Sequence, residues 1–401
     1  MNILFLSLTS YDSINESNIY TDLLRKFIEN GHKVYGVCPV QRRQNIPTTL
    51  ITEENAKILK VKTGNITRVN VIEKGISTLL IGRQFIGAIK KYFKGVKFDL
   101  ILYPTPPITL ESVVKYFKKR DKAKTYLLLK DIFPQNAVDI GMMRVSGVKG
   151  ILYKWFRRKE KKLYAHSDRI GCMSQANVDY VLKHNTEVSA DKVEICPNSI
   201  EVRDMSISGE ERVEIRTKYD IPLDKKVFIY GGNLGKPQGI PFMVECLKHC
   251  CNISDVIFII IGSGTEKKRI EAFVEEERPQ NVRLMERLPK EDYDKLVAAC
   301  DVGLIFLDHR FTIPNFPSRL LAYMQAKVPV FACTDPNTDV GKVITEGGFG
   351  WWCESNDAEK FSELVNYALD ADLKAMGQNG FEYLKENYTS EKSYNIIAKW
   401  M

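Results

Sequence analysis

The run VIFIIIG, residues 256–262, is apolar at every position. Side chains alternate between the two faces of a strand, so such a strand has to be covered on both. That is the condition of a central parallel strand flanked by helices. Most of the chain follows the same grammar: short apolar stretches, each followed by a segment with helical spacing, predict parallel sheets with helices on both faces. In the first half NILFLS, KVYGVC, FDLILY, TYLLLK and RIGCMS read as strands. Between the first two, Ile19, Leu23, Phe27 and Ile28 have helical spacing, and Gly31 ends the helix. Residues 198–212 lose the apolar periodicity and gather Pro, Ser and Gly, which reads as a linker. Beyond it KVFIYGG, VIFIIIGSG, NVRLM, DVGLIFL and VPVFAC read as strands, with helices near 238–250, 265–277, 290–299, 317–327 and 338–346. The expected fold class is α/β, two doubly wound Rossmann-like domains facing across a cleft: residues 1–200, and residues 201–384. A last helix, 385–401, carries Tyr394, Ile397 and Trp400 as an apolar strip that packs back on the first domain. Ligands of such sheets lie at the carboxyl ends of the strands.

At 401 residues the chain exceeds one ordinary core, which fits two domains. No apolar run reaches the ~18 residues of a membrane span. The opening MNILFLSLTSYD lacks a basic leader region, so a cytoplasmic location is expected. Nine cysteines show no CxxC pair and five histidines no HExxH-type cluster, so neither a disulfide framework nor a metal is expected. The net charge of +8 conceals an asymmetry. Residues 1–200 hold 33 Lys+Arg against 18 Asp+Glu, giving +15, and residues 201–401 hold 25 against 32, giving −7. A basic half joined to an acidic half directs the first toward something anionic, nucleic acid or a membrane surface.

Three stretches of the second half carry chemistry. In GGNLGKPQG, residues 231–239, Gly231 and Gly232 let backbone approach a ligand, Lys236 supplies a point charge, and Asn233 and Gln238 can donate hydrogen bonds. A plain strand–turn–helix connection is the alternative. IIIGSG ends in Gly262, Ser263 and Gly264, a turn that many Rossmann-like sheets share. In IPNFPSRLLAYMQAKVPV, Ser318 is placed as N-cap after Pro317, with Arg319 in the first helical turn. A cation there opposes the helix dipole. An anion bound at the same end reverses that, because Arg319 and free amides then hold it together.

Taken in order, ENGHKVYGVCP, RIGCMSQANVDYV, EICPNSI, YGGNLGKPQG, IIIGSG, PSRLLAYMQAKVPV and GGFGWW resemble the family 4 glycosyltransferases over the whole chain. The resemblance implies the GT-B fold and retaining, metal-independent transfer of a sugar from a nucleotide diphosphate, UDP, with no cofactor. The pairing of GGNLGKPQG with PSRLLAYM looks like a bacterial capsule and O-antigen branch that includes N-acetyl-L-fucosamine transferases. It implies an N-acetylated 6-deoxyhexosamine as the sugar and a lipid-linked oligosaccharide as the acceptor. The chain also departs from the family pattern. The usual Arg and Lys for the diphosphate fall on Asn233 and Gln238, and the glutamates of the E-x7-E signature fall on Pro314 and Ala322. By elimination Arg319 and Lys236 take the diphosphate, helped by amides near Gly232 and Ser318, and the ribose contact is left unassigned. His309 and Arg310, just after DVGLIFLD, are placed to reach the donor. LLLKDIFPQNAVDIGMM stands where the branch has D-x-W-P-E: Asp131 matches the Asp, while Phe133 replaces the Trp and Gln135 replaces the Glu. Asp131 is then the acceptor-side acid or base, a capping Asp being the alternative. Lys130 beside it, and Asp12 and Asn15 in LTSYDSINESN, join the acceptor side, and YPTPPI reads as a rigid lining loop.

In the basic half KKYFKGVKF, KYFKKRDKAK and YKWFRRKEKKLY interleave aromatics with cations, and Val148, Leu152, Trp155 and Phe156 share one side of a helix. This reads either as a solvated face or as a surface for anionic lipid, each nearby cation contributing about 1 kcal/mol. The second suits a lipid-linked acceptor and places the chain on the inner face of the plasma membrane, with no nucleic acid as partner. Two other functions fit the same motifs. One is a GT-B nucleotide-sugar epimerase, which needs no membrane patch; the other is an inactive nucleotide-binding partner protein, which the replaced glutamates would suit.

Overall fold

The computed structural model describes residues 1–66 and 71–401, with backbone alone for 71, 72, 74–76, 148 and 149. The side chain of Val148 thus lies outside the described residues. The chain divides into two compact units, Met1–Glu201 with Ser390–Met401, and Val202–Thr389.

The first unit is built on an eight-stranded sheet. Its strands are β1 (Asn2–Leu6), β2 (Lys33–Gln41), β3 (Thr49–Thr52), β4 (Ala56–Thr63), β5 (Leu100–Pro104), β6 (Lys124–Leu129), β7 (Arg169–Cys172) and β8 (Val193–Ile195), in the order β3-β4-β2-β1-β5-β6-β7-β8. All neighbours run parallel except β3, which pairs antiparallel with β4 at one edge. The helix Ser390–Ala398 packs on the helix Thr21–Glu29, where the rings of Tyr394 and Phe27 meet edge to face at 5.0 Å and Ile397 is fully buried. Trp400 stacks on the Arg169 guanidinium, 3.3 Å from the ring centroid.

The second unit has six parallel strands: β9 (Lys226–Asn233), β10 (Val256–Ser263), β11 (Val282–Met285), β12 (Val302–Phe306), β13 (Val330–Thr334) and β14 (Gly350–Glu354), in the order β11-β10-β9-β12-β13-β14. From Val256 to Ile261 no residue of β10 is more than 2% exposed, the outcome its all-apolar sequence demands. Phe228, Tyr230, Phe258, Ile260 and Phe331 pack there against Ile240, Met243, Ile270 and Phe361 of the covering helices. After β9 the chain steps outward through β10 and β11, then returns to the other flank of β9 as β12. The switch point of the topology therefore lies between β9 and β12, where a doubly wound sheet opens a crevice at its carboxyl edge.

One stretch read as linker is partly helical. Residues Gly209–Lys218 form a helix because SGEE is a capping box: the Ser208 hydroxyl accepts from the Glu211 amide, and the Glu211 carboxylate accepts from the Ser208 amide at 2.8 Å. Arg216 anchors that helix. Only 2% exposed, it bonds Asp301 at 2.6 Å and the Ala299 carbonyl at 2.9 Å. Among the described residues no helix is long and apolar enough to cross a membrane.

Candidate active site

At the carboxyl edge of the second sheet, β9 ends in Tyr230, Gly231, Gly232 and Asn233. Arg319 opens the short helix Arg319–Gln325 that follows β12, and its guanidinium lies over the Tyr230 ring, 4.3 Å from the centroid. It also fills the place of a Gly232 side chain: a Cβ there would collide with Arg319 Nη2, and the φ of +141° at Gly232 already favours glycine. Under Gly231 the equivalent space is occupied by the ring of Tyr293, from the helix Lys290–Ala298. Tyr323 completes the group, its hydroxyl within 3.1 Å of the Ile229 and Leu304 carbonyls. Burial works to lower the Arg319 pKa, the hydroxyls of Tyr230, Tyr323 and Tyr293 work to raise it, and the net shift is upward. Among the described residues no carboxylate is paired with Arg319.

At Gly231 the protein itself fills the space, with the Tyr293 ring, while Gly232 stays exposed with the Arg319 guanidinium over it. Gly262 and Gly264 are explained in the same way, since a Cβ on them would strike the Gly232 carbonyl and the Leu234 backbone. These loops are tied together by main chain: Leu234 donates to Ser263 O at 3.0 Å, Glu266 to Leu234 O at 2.9 Å, and Asp308 to Pro237 O at 3.0 Å. Asn233 Nδ2 donates to Gln238 Oε1 at 2.9 Å, which fixes both amides and leaves the Gln238 NH₂ as a donor. Lys236 stands exposed at the start of the turn Lys236–Gln238, and Ser263, Gly264 and Ser318 are exposed as well.

One expectation is corrected here. Ser318 does not cap its helix: its backbone is already helical, φ −63° and ψ −16°, and its side chain makes no capping bond. The helix starts instead with tight turns, Leu320 to Pro317 O at 3.2 Å and Leu321 to Ser318 O at 3.1 Å. Arg310 is engaged by the buried Asp308, with Nε and Nη2 at 2.8 and 2.7 Å from its two oxygens. His309 is half exposed, 3.9 Å from the same carboxylate.

In the first unit Asp131 follows β6. Its Oδ2 accepts from Asn136 Nδ2 at 2.6 Å, while Oδ1 is buried without a hydrogen-bond partner. Thr105 Oγ1, in the loop after β5, holds the Asp131 main chain through its carbonyl at 3.0 Å. Burial pushes the Asp131 carboxyl up to about 6. The N-cap of the next helix, Gln135–Asp139, is Pro134 and not Asp131, but the bond of Asp131 to Asn136 ties it to the first turn of that helix. Lys130 is bound elsewhere, its Nζ 3.4 Å from the Cys196 carbonyl, and burial draws its pKa down to about 8. Asp12 is ion-paired with Lys60, so this exposed carboxylate neutralises a largely buried ammonium. Asn15 is exposed in the same loop.

The same unit carries an apolar surface at the start of the helix Gly147–His166. Met142, Val145, Ile151 and Leu152 are 62%, 51%, 68% and 50% exposed, beside exposed Arg144, Lys154 and Arg158. Phe156, expected to share that surface, packs instead on Phe133 with centroids 4.8 Å apart.

Residues 211–383 match the family described as Glycosyl transferases group 1. The chain is 25% identical over 330 residues to WbjE of Pseudomonas aeruginosa, named as a probable glycosyltransferase, covering 82% of this chain and 80% of that one. It is 24% identical to WcaI of Escherichia coli, named for glycosyl transfer in colanic acid biosynthesis, over 52% of this chain and 49% of WcaI. Among solved structures it resembles HepE of Anabaena in complex with UDP, with a TM-score of 0.70 and 13% identity over 100% of this chain and 99% of that one. The last likeness is one of fold, and the fold class is GT-B.

Proposed function

We propose that this chain is a retaining glycosyltransferase. In this reading it moves an N-acetylated 6-deoxyhexosamine from a UDP-sugar to a lipid-linked oligosaccharide in bacterial surface polysaccharide synthesis. The observation that carries the proposal is Arg319, a guanidinium held at the sheet's switch point, in the part of the chain that matches Glycosyl transferases group 1, without a carboxylate partner among the described residues. When a glycosyl bond to a diphosphate breaks, negative charge grows on the leaving oxygen. A cation fixed beforehand stabilises that charge without reorganising. Lys236 supplies a second positive charge, and the Gln238 amide and the main-chain amides near Gly232 and Ser318 are further donors. The positive field then comes from the chain itself, which is the basis for proposing a metal-independent reaction.

Asp131 is assigned the acceptor. As the acceptor oxygen bonds to the anomeric carbon on the same face from which UDP leaves with the electron pair, so that configuration is retained, the hydroxyl proton passes to the Asp131 carboxylate. The UDP donor is supported by the UDP complex of HepE, and the polysaccharide setting by the name of WcaI. The exposed apolar and basic surface around Ile151 supports a peripheral position on an anionic inner membrane leaflet.

The test is incubation of the purified chain with a panel of UDP-sugars, with and without lipid-linked acceptors in anionic vesicles, products being read by mass spectrometry and NMR. Glycosyl transfer that requires the acceptor is expected. Epimerised donor without acceptor would instead make the chain an epimerase, and failure to bind UDP would overturn the reading.

A further inference from the structure

We infer that Tyr293 is a positioning residue for the diphosphate site: wedged under Gly231, its ring fixes the end of β9 on which Arg319 is seated. The inference rests on the proposed role of Arg319. Two neighbouring residues of β9 lack side chains, and a different side chain fills each gap. Tyr293 Cε2, Cζ and Oη all fall within collision range of a Cβ on Gly231, and Arg319 Nη2 within that of a Cβ on Gly232. Successive residues of a strand face opposite sides, so Tyr293 and Arg319 clasp the same short piece of backbone from its two faces. Because the Tyr293 ring, and not only its tip, occupies the Gly231 gap, displacing the ring leaves that backbone free to shift. Arg319 rests on the next residue and would shift with it.

The Tyr293 hydroxyl adds a constraint. It is buried beside the Tyr323 hydroxyl and acts on the Arg319 guanidinium. The ring is the part that wedges the backbone, and the hydroxyl adds to the polar setting of Arg319. The glycine at 231 is then required by Tyr293 and not by a ligand.

Four variants of the full chain separate these roles: Tyr293→Ala, Tyr293→Phe, Gly231→Ala and the double variant Gly231→Ala/Tyr293→Ala. The readouts are UDP affinity by calorimetry, the kcat and KM of transfer, and Tm. Tyr293→Ala is expected to weaken UDP at least tenfold and to lower kcat. Tyr293→Phe, which keeps the ring, is expected to lose much less than Tyr293→Ala in both. Gly231→Ala is expected to lose UDP binding through collision with the ring, and the double variant, with no ring to collide with, to recover to the level of Tyr293→Ala. If Arg319→Ala weakens UDP while Tyr293→Ala leaves it unchanged, Tyr293 is a core residue only and the inference fails alone. A double variant as defective as Gly231→Ala, at unchanged Tm, would show that Gly231 serves the ligand, and would also overturn it. A wild-type chain that binds no UDP, or an Arg319→Ala variant that binds it normally, overturns both readings.

Discussion

Arg319 was legible in the sequence because its charge conflicts with its place. A cation in the first turn of a helix is unfavourable unless something negative joins it. Tyr323, four residues on in the same helix, was within reach of a sequence reading, but Tyr230 and Tyr293 come from two other elements and meet Arg319 only through tertiary packing. The same limit explains the glycines: a Gly-Gly pair announces a close approach but not whether ligand or protein makes it. Arg319→Ala should lower kcat about 100–1000-fold while Tm stays unchanged, checked by steady-state kinetics beside thermal denaturation. Asp131 allows a prediction with a sign. Its carboxyl is raised by burial to about 6, so a rate that needs the ionised form should climb as pH rises through about 6, and Asp131→Asn should lose that limb together with the activity. For stability the direction is opposite. The folded state holds the proton more tightly than the unfolded chain, so the contribution is complete below the unfolded value of about 4 and is lost as pH rises through about 6. Asp131→Asn should therefore be more stable than wild type at pH 7.5, by on the order of 1–3 kcal/mol, and no different at pH 3.5.

Strands with unbroken apolar runs, such as β10 and β6, declared themselves, since only burial on both faces explains them. β3 and β4 did not. In AKILKVKT three lysines interrupt the run, yet only Lys57 and Lys62 reach solvent while Lys60 is buried and paired with Asp12. A strand that buries a lysine stem looks too polar from sequence alone. The helix Gly209–Lys218 was hidden by the Ser and Gly that open it, which serve as its cap. Removing that cap by Ser208→Ala should cost about 1 kcal/mol, seen as a lower urea midpoint at unchanged m-value. A full-strength midpoint would mean that Arg216 and Asp301 hold the helix unaided.

Across the whole molecule the charge is divided, +15 in residues 1–200 and −7 in residues 201–401, and the exposed apolar side chains near residue 150 lie in the positive half. Composition made the charge division plain. The apolar tip was less so, since Met142, Val145 and Ile151 were not singled out and Phe156 turned inward to Phe133. The chain should cosediment with vesicles that contain anionic phospholipid and much less with neutral ones, and the binding should weaken with salt. Replacing Ile151 and Leu152 by Ser should reduce it at least fivefold without changing UDP affinity; an equal response to neutral vesicles would count against an electrostatic dock. A crystal structure with UDP would show most directly where the leaving group is stabilised. Phosphate oxygens are expected within hydrogen-bonding distance of the Arg319 guanidinium, above Gly232. A pyrophosphate bound away from Arg319, or a nicotinamide dinucleotide in its place, would contradict this assignment.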